Sequence, residues 1–377
     1  MSDLNAREGT PEEDRRTVDG AGAGAPSMSL DDLANAAPIP ATGSMPADIA
    51  ELLEPHSGVY VLSDDKPSLD FGSARVRAAA DVWHVDATSG ELRTTIPGVE
   101  QTELRPEATG SMRAEEAGTD SRRPEWMEQQ YLPRLAPFRL SAHQTGLPEA
   151  RMFLEPRASE AERLPYPWCC VGRIVTSSSL GTWTGSGVLV GPNLVLTAGH
   201  VAPWGGSNWS MEFIPALRQG DPNPRPYGSS FISEYRGYNR PADVFGYDYA
   251  VCRLYNPLGQ GLGWMGTQSW GNEDEYERRD YTSSGYPATF GGRPAVQFSV
   301  GIRDLDNDSP GKELETVEYT SGGWSGGPLW FFAGQSPTVV GVLSGAETDG
   351  FDPRRDVYAG HTAMIDLVRF GFDNWRP

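Results

Sequence analysis

The chain has 377 residues and a formal net charge of −20, and 38% of its residues are hydrophobic. This length allows two or three domains, and this composition allows a sizeable core. The first 164 residues hold 29 acidic against 16 basic side chains, so most of the negative charge precedes residue 165. Such an acidic chain does not bind nucleic acid or anionic lipid through bulk charge, and we expect neither as a partner.

The termini and the cysteines suggest no export signal and no disulfide framework. The amino-terminal residues lack the apolar segment of a secretory signal, and no later run reaches the length of a membrane span. Cys169, Cys170 and Cys252 are odd in number and two are adjacent. We therefore expect reduced, half-buried cysteines, although a bridge from Cys169 or Cys170 to Cys252 stays open.

Residues 1–164 predict a largely disordered, low-complexity region. Residues 1–54 are mostly Ala, Gly, Pro, Ser and acidic residues without sustained periodicity, a composition that buries too little surface to fold. One hairpin is predicted at residues 81–96. The composition changes abruptly after Arg163, which makes this region a candidate pro-segment removed near that point, or a regulatory arm. A solvated linker is the simpler interpretation.

From residue 165 onwards, short apolar and aromatic runs alternate with Gly, Pro and Asn turns. The predicted strands are 169–176, 184–190, 194–196, 210–214, 249–254, 280–283, 295–300, 314–319, 328–332 and 339–343. This spacing is typical of an all-β barrel or sandwich. At the end of the chain Met364, Leu367 and Val368 fall at helical spacing, which predicts a closing amphipathic helix.

Ser325 lies within the string TSGGWSGGPLW at residues 320–330 and fits two nucleophile patterns. One is the G-x-S-x-G elbow of α/β-hydrolases, in which a helix follows the serine. The other is a G-x-S-G-G-P loop followed by a strand. A serine nucleophile needs a base within hydrogen-bond reach. After residue 165 the only histidines are His200 and His361, so each pattern has one candidate base.

The α/β-hydrolase alternative would use Ser325, then Asp349, Asp352 or Asp356, and then His361, in the required order. The residues around Ser325 do not fit the α/β-hydrolase elbow, because the apolar run after Ser325 predicts a strand rather than a helix. No βαβ alternation precedes the serine. This esterase hypothesis is the weaker of the two.

The second hypothesis uses His200, Asp248 and Ser325. His200 follows an apolar run and the small residues Thr-Ala-Gly, which let an imidazole approach a cleft without crowding. Asp248 opens a buried-looking strand and is placed to orient the imidazole, with Asp243 as a weaker competitor. The glycines before Ser325 let the N–H groups of Gly323 and Ser325 turn inward to form an oxyanion hole.

Segments 185–200, 248–254 and 320–328 together resemble the signature regions of chymotrypsin-fold, trypsin-like serine proteases. The TAGH and SGGP strings and the spacings of 48 and 77 residues between His200, Asp248 and Ser325 all fit. The resemblance covers residues 165–377. It implies two six-stranded antiparallel β-barrels with a C-terminal helix, and a serine endopeptidase that cleaves proteins or peptides through this triad, without metal or cofactor.

Two strings resemble the glutamyl endopeptidase branch of that family. They are G-Y-P at residues 285–287 and T-x-G-G-x-S at residues 320–325. The histidine that meets the substrate carboxylate in that branch corresponds to Leu343 here, so glutamate specificity is not supported. Tyr319 stands where trypsin relatives have an acidic selector. A pocket for a small or apolar side chain is implied, lined by Tyr319, Thr320, Leu343, Ser344, Gly345 and Ala346.

Two departures from the family pattern affect activation and stability. Trp324 replaces the aspartate that in trypsin receives a newly formed amino terminus, so that ion pair is absent. Val201 replaces the cysteine that usually follows the histidine motif. The resemblance further suggests an extracellular monomer. The alternative from another class is a catalytically silent or latent protease-fold binding module.

Overall fold

Strands, nearly all in antiparallel pairs, are the main regular secondary structure of the computed structural model. The structure describes residues 26–53, 59–62, 67–70, 96–106, 116–140, 151–157, 163–218, 224–239, 245–347 and 355–377. Within these ranges no helix is both long enough and apolar enough to cross a lipid bilayer. Cys169, Cys170 and Cys252 are free thiols, as expected, but they are fully buried rather than half-buried.

Short helices and strands are present before residue 164. They are α1 (Leu30–Asn35), α2 (Ala47–Leu53), β1 (Val59–Leu62), β2 (Pro67–Asp70), β3 (Glu100–Leu104), β4 (Ala117–Thr119), β5 (Arg134–Leu140) and β6 (Arg151–Arg157). β1 and β2 pair with each other, and β5 and β6 form an antiparallel hairpin. Ser29 begins α1 with a capping box, in which its hydroxyl accepts from the Asp32 N–H.

The first barrel is built from six consecutive strands. They are β7 (Val171–Ser178), β8 (Gly181–Gly191), β9 (Leu194–Thr197), β10 (Ser210–Pro215), β11 (Ser230–Tyr238) and β12 (Ala250–Leu254). Their order is β10-β7-β8-β9-β12-β11, and pairing of β10 with β11 closes the ring. Gly181, with a φ of 128°, makes the turn between β7 and β8. Closure leaves no free edge within the ring.

The remaining residues form the second barrel and a closing helix. The elements are α3 (Leu258–Leu262), β13 (Gly266–Ser269), α4 (Asp274–Glu277), β14 (Tyr281–Gly285), β15 (Ala295–Val300), β16 (Ile302–Asp308), β17 (Gly311–Thr316), β18 (Pro328–Ala333), β19 (Ser336–Glu347), β20 (Arg355–Gly360) and α5 (Thr362–Asn374). β15 and β16 are separated by Gly301 alone and form one bent strand. Counted so, the order β14-β15/β16-β17-β20-β19-β18 returns to β14 and makes a second six-stranded ring.

The predicted fold class of two six-stranded antiparallel barrels with a C-terminal helix is therefore confirmed. α5 buries Met364, Leu367 and Val368, the residues whose spacing predicts it. It packs on β9 and β12, on the outside of the first barrel. β9 is buried at all four positions, because one of its faces fills the barrel and α5 covers the other.

The described part of residues 1–164 is more ordered than the prediction of at most one hairpin allows. β3 adds a parallel strand to β11, β4 pairs with β13, and β6 joins the second barrel at β15. Leu33, Leu53 and Tyr131 belong to the main hydrophobic core. Composition underestimates this order because these segments pair with or pack on barrel strands that are already formed, and therefore need few apolar residues of their own. Residues 81–95 of the predicted hairpin lie outside the described residues.

Candidate active site

His200 lies in a single 3₁₀ turn, Gly199–Val201, immediately after β9. The residue directly before it, Gly199, has no room for a side chain. A Cβ on Gly199 would lie 2.3 Å from the Tyr238 carbonyl oxygen and 2.9 Å from Asp248 Oδ1. Glycine therefore lets the backbone approach close enough for the His200 N–H to donate to Asp248 Oδ1 at 2.9 Å.

Asp248 orients the His200 ring through a hydrogen bond. Its carboxylate is fully buried, and its Oδ2 lies 2.7 Å from His200 Nδ1. Burial by itself would lower the pKa of His200, but the hydrogen bond and the charge of Asp248 outweigh it and raise the pKa above its ordinary value. The imidazole is thus oriented through Nδ1, and its cation is stabilised by a neighbouring carboxylate.

Ser325 sits in a tight turn between β17 and β18. Gly326 has a φ of 81°, and a Cβ there would lie 2.2 Å from Thr197 Oγ1 and 2.8 Å from the Ala198 nitrogen. The turn therefore packs directly against the loop that bears His200. The Ser325 carbonyl accepts from the Ser186 N–H at 2.7 Å, which ties the turn to β8.

Ser186 is a functional residue that the sequence interpretation missed. Its hydroxyl is buried, donates to the Gly323 carbonyl at 2.8 Å and accepts from the Tyr286 N–H at 2.8 Å. It lies in the Gly-Ser-Gly string that opens the histidine motif, but nothing in that string shows that its hydroxyl reaches a loop more than a hundred residues away. Ser186 thus fixes the orientation of the Gly323 peptide.

The N–H groups of Gly323 and Ser325 are the predicted oxyanion donors. In the described part of the chain neither N–H has a hydrogen-bond acceptor, whereas both carbonyls are bonded to Ser186. Gly323 has a φ of 93°, which a residue with a side chain rarely adopts. The two donors are therefore available to a ligand.

Among the described residues the Ser325 hydroxyl and His200 Nε2 form no hydrogen bond with each other. Catalytic hydrogen bonds are often long without substrate and tighten in the reacting complex. Asp243, the competing acid, lies outside the described residues.

The predicted pocket residues lie along β19 and the segment before Ser325. Leu343 pairs through its backbone with Gly326 at 2.8 Å and Gly327 at 2.9 Å, so β19 runs beside the turn that carries Ser325. Tyr319, Thr320 and Leu343 are buried, Gly345 is half-buried and Ala346 is exposed. Ser344, predicted at the pocket edge, donates its hydroxyl to Asp248 Oδ2 at 2.7 Å. Its hydroxyl supports the carboxylate that orients His200.

Two carboxyl groups that the sequence interpretation did not assign to this region lie beside these residues: Asp356 is fully buried, and Glu318 is half-buried with its Oε2 shielded from solvent. The Thr320 N–H donates to Asp356 Oδ2 at 2.8 Å. The Tyr358 hydroxyl bonds to both Glu318 and Ser283. Burial raises the pKa of Glu318 to about 8, the Tyr358 hydrogen bond opposes this rise, and the Asp356 charge adds to it. At neutral pH burial therefore favours the uncharged form of Glu318, the residue directly before Tyr319.

The α/β-hydrolase alternative is wrong. β18 follows Ser325 where an elbow requires a helix. His361 instead caps α5, as the Thr362 N–H donates to His361 Nδ1 at 2.7 Å. Burial and the nearby Lys312 lower the pKa of His361 to about 4. This histidine serves as a helix cap.

Comparison with known proteins agrees with this geometry. Residues 158–368 match the family model described as Trypsin, a span that includes His200, Asp248 and Ser325. No curated protein sequence matches the chain.

Three solved structures are similar to this chain. A Glu endopeptidase in complex with MPD has 18% identity and a TM-score of 0.44, and the alignment covers 58% of this chain and 96% of that one. The protease Anisep from Arthrobacter nicotinovorans has 22% identity and a TM-score of 0.42, with 53% and 94% covered. The thermostable serine protease AL20 from an extremophilic microorganism has 19% identity and a TM-score of 0.43, with 55% and 99% covered.

Proposed function

Because this chain belongs to the trypsin family of serine endopeptidases, we propose that His200, Asp248 and Ser325 are its catalytic triad. The observation that carries the proposal is the buried Asp248 carboxylate, whose two oxygens hold the backbone and the ring of His200 at 2.9 and 2.7 Å. The nucleophile turn packs against the same histidine loop. The substrates are proteins or peptides, as the family implies.

In this mechanism Ser325 Oγ attacks the carbonyl carbon of the scissile peptide bond while His200 Nε2 takes its proton. Asp248 keeps the ring in the tautomer with its proton on Nδ1 and stabilises the imidazolium that forms. The N–H groups of Gly323 and Ser325 bind the oxyanion. His200 then protonates the leaving amine, and water hydrolyses the acyl-enzyme by the same steps.

For substrate preference, we propose that Tyr319, Thr320, Leu343, Ser344, Gly345 and the exposed Ala346 surround the side chain next to the scissile bond. A small or apolar side chain fits the residues of β19. The G-Y-P and T-x-G-G-x-S strings favour the glutamyl endopeptidase branch, but Leu343 supplies no positive charge for a glutamate. Profiling the enzyme with a peptide library tests this assignment, and a strong preference for glutamate would contradict it.

A fluorophosphonate probe tests the triad, because it labels only an activated serine. We expect labelling of the full chain, and loss of labelling in Ser325→Ala and His200→Ala. His361→Ala is the matched histidine control and should be labelled normally. Absence of labelling in the full chain would favour the silent or latent binding module instead.

The region before residue 165 has two candidate roles, a removable pro-segment or a permanent regulatory arm. The contacts at the proposed cleavage point favour the arm. Leu164 is 1% exposed, and its carbonyl accepts from the Tyr227 hydroxyl at 2.6 Å. Cleavage at Arg163 would therefore have to reach a buried peptide. Intact-mass measurement of the active enzyme decides, and a fragment starting at Leu164 would support the pro-segment.

A further inference from the structure

We propose that the β5–β6 hairpin is a permanent brace of the active site, and that Glu155 on β6 is a positioning residue for the oxyanion hole. Glu155 acts through Arg293 on the loop of residues 286–293, called here the bracing loop. This loop in turn contacts the turn that carries Gly323. The inference rests on the proposed function, because it concerns the same oxyanion donors.

One side of the bracing loop is held by the hairpin. Glu155 is 7% exposed and receives two hydrogen bonds from Arg293, from Nε at 3.0 Å and from Nη2 at 2.6 Å. This bidentate geometry is the strongest form of a carboxylate–guanidinium contact. Phe138 on β5 packs against Phe290 with ring centroids 4.5 Å apart, and Arg157 also donates to Glu155. The hairpin therefore grips the loop through both an ion pair and an aromatic pair.

The other side of the bracing loop holds the turn before Ser325. The Ala288 N–H donates to the Gly322 carbonyl at 2.8 Å, and the hydroxyls of Thr289 and Ser321 lie 3.0 Å apart. A Cβ on Gly323 would lie 2.8 Å from the Tyr286 carbonyl oxygen, so the two backbones are in close contact. A displacement of the bracing loop would therefore displace the Gly323 peptide.

The internal hydrogen bonds of the bracing loop are short-range, because the backbone N–H groups of Phe290, Gly291, Gly292 and Arg293 donate to carbonyls three to five residues earlier in the loop. It contains a single 3₁₀ turn, Ala288–Phe290, followed by two glycines with positive φ, 64° at Gly291 and 77° at Gly292. Glycines with positive φ have more conformational freedom to lose than other residues. The orientation of the loop therefore depends on what contacts it from outside, which includes the hairpin.

Trp324 explains why such a brace is useful here. Its side chain is fully buried, and a Cβ on Gly285, at the entry to the bracing loop, would lie 2.4 Å from the indole Cδ1. The indole, Phe290 and Phe138 all contribute to one hydrophobic cluster. In trypsin the position of Trp324 holds an aspartate that pairs with a new amino terminus. Here apolar packing that extends into the hairpin takes the place of that ion pair.

The expected effect follows from when the oxyanion donors act. They stabilise the transition state rather than the bound substrate, so a misplaced Gly323 N–H lowers kcat and leaves KM nearly unchanged. Complete loss of one donor costs about 10²–10³-fold in rate, and a loosened donor costs less. For Glu155→Gln in the full chain we expect about a tenfold lower maximal rate of fluorophosphonate labelling, with unchanged probe affinity.

Glu234→Gln is the matched control. Glu234 bonds Arg253 at 2.7 Å on the first barrel, with side-chain exposures of 16% and 34% against 10% and 28% for Glu155 and Arg293. Its labelling rate should stay at that of the unmodified chain. Arg293→Gln should repeat the effect of Glu155→Gln, and the double variant should be no slower than either single variant.

Amide hydrogen exchange gives a readout that needs no catalysis. Measured in a Ser325→Ala background, Glu155→Gln should speed exchange in residues 286–293 and 321–326, and Glu234→Gln should not. Unchanged exchange there, or an equal change in the control, overturns the brace. Absence of labelling in the unmodified chain would overturn the proposed function instead, and the exchange experiment would still decide on the brace.

Discussion

Replacing Ser186 by alanine tests the link between the first barrel and the oxyanion hole. The substitution removes only the buried Ser186 hydroxyl group. Two hydrogen bonds are lost with it, the one donated to the Gly323 carbonyl at 2.8 Å and the one accepted from the Tyr286 N–H at 2.8 Å. The backbone bond from Ser186 to the Ser325 carbonyl, 2.7 Å long, remains available. The substitution therefore frees the Gly323 peptide while leaving the nucleophile turn attached to β8.

The magnitude follows from the two groups left without a partner. A buried backbone N–H or carbonyl that loses its hydrogen bond costs about 1–3 kcal/mol. For Ser186→Ala we expect the free energy of unfolding to fall by about 2–4 kcal/mol, because neighbouring groups relax partly. A mobile Gly323 peptide also weakens one oxyanion donor, so the labelling rate should fall roughly 10–100-fold, below the loss of a whole donor.

Urea unfolding and the rate of fluorophosphonate labelling measure the two effects separately. Ser233→Ala is the control, because the buried Ser233 hydroxyl donates to the Arg253 carbonyl at 3.2 Å in the first barrel. It should cost about 1 kcal/mol of stability and leave labelling unchanged. If Ser186→Ala loses stability but labels at the normal rate, the orientation of Gly323 does not depend on Ser186 and the reasoning fails.

Three further substitutions test other parts of the site. In a pH–rate profile, activity should rise with pH through the His200 pKa, which lies above its ordinary value of 6.5, because His200 must be neutral to accept a proton. Asp248→Asn should move the midpoint of this rise to lower pH and reduce kcat about 10⁴-fold. Glu318 favours its protonated form in the folded state, with a pKa of about 8 against 4.5. The contribution of protonated Glu318 to the free energy of unfolding is complete below pH 4.5 and is lost as pH rises towards 8. The Tm of Glu318→Gln should therefore rise relative to that of the unmodified chain between about pH 5 and pH 8. An equal Tm difference at about pH 5 and pH 8 would contradict this. Gly326→Ala should lower Tm and abolish labelling, because its Cβ would lie 2.2 Å from Thr197 Oγ1, whereas Gly334→Ala, with a φ of 62° and open space around it, should lower Tm only.

The catalytic candidates could be predicted because each depends on a local requirement. Gly199 must lack a side chain for His200 to approach Asp248, and Gly326 must lack one for the serine turn to meet the histidine loop. Such requirements leave short strings of small residues around the reactive groups. The apolar run after Ser325, which predicts a strand rather than a helix, then favoured His200 over His361 as the partner of Ser325.

Some strands were missed because pairing with distant strands stabilises them more than their local sequence does. β11 and β20 are absent from the prediction, although both are well formed. β11 mixes Ser, Glu and Arg with aromatics, and it is stabilised by pairing on both sides, with β12 and β3. A strand that is paired on both sides tolerates polar residues, although such residues argue against a strand when the local sequence is considered alone.

Residue patterns and the family resemblance they carry predicted the fold class, the two barrels, the closing helix and the residues proposed for chemistry. The groups that support those residues could be identified only in the folded chain: Ser186 bonds Gly323, Ser344 bonds Asp248, and Glu155 bonds Arg293 in the bracing loop. The physical reason is that reactive residues need particular local backbone, which leaves a motif. A supporting hydrogen bond needs only a suitable atom at the right place in space, and any part of the chain can supply it.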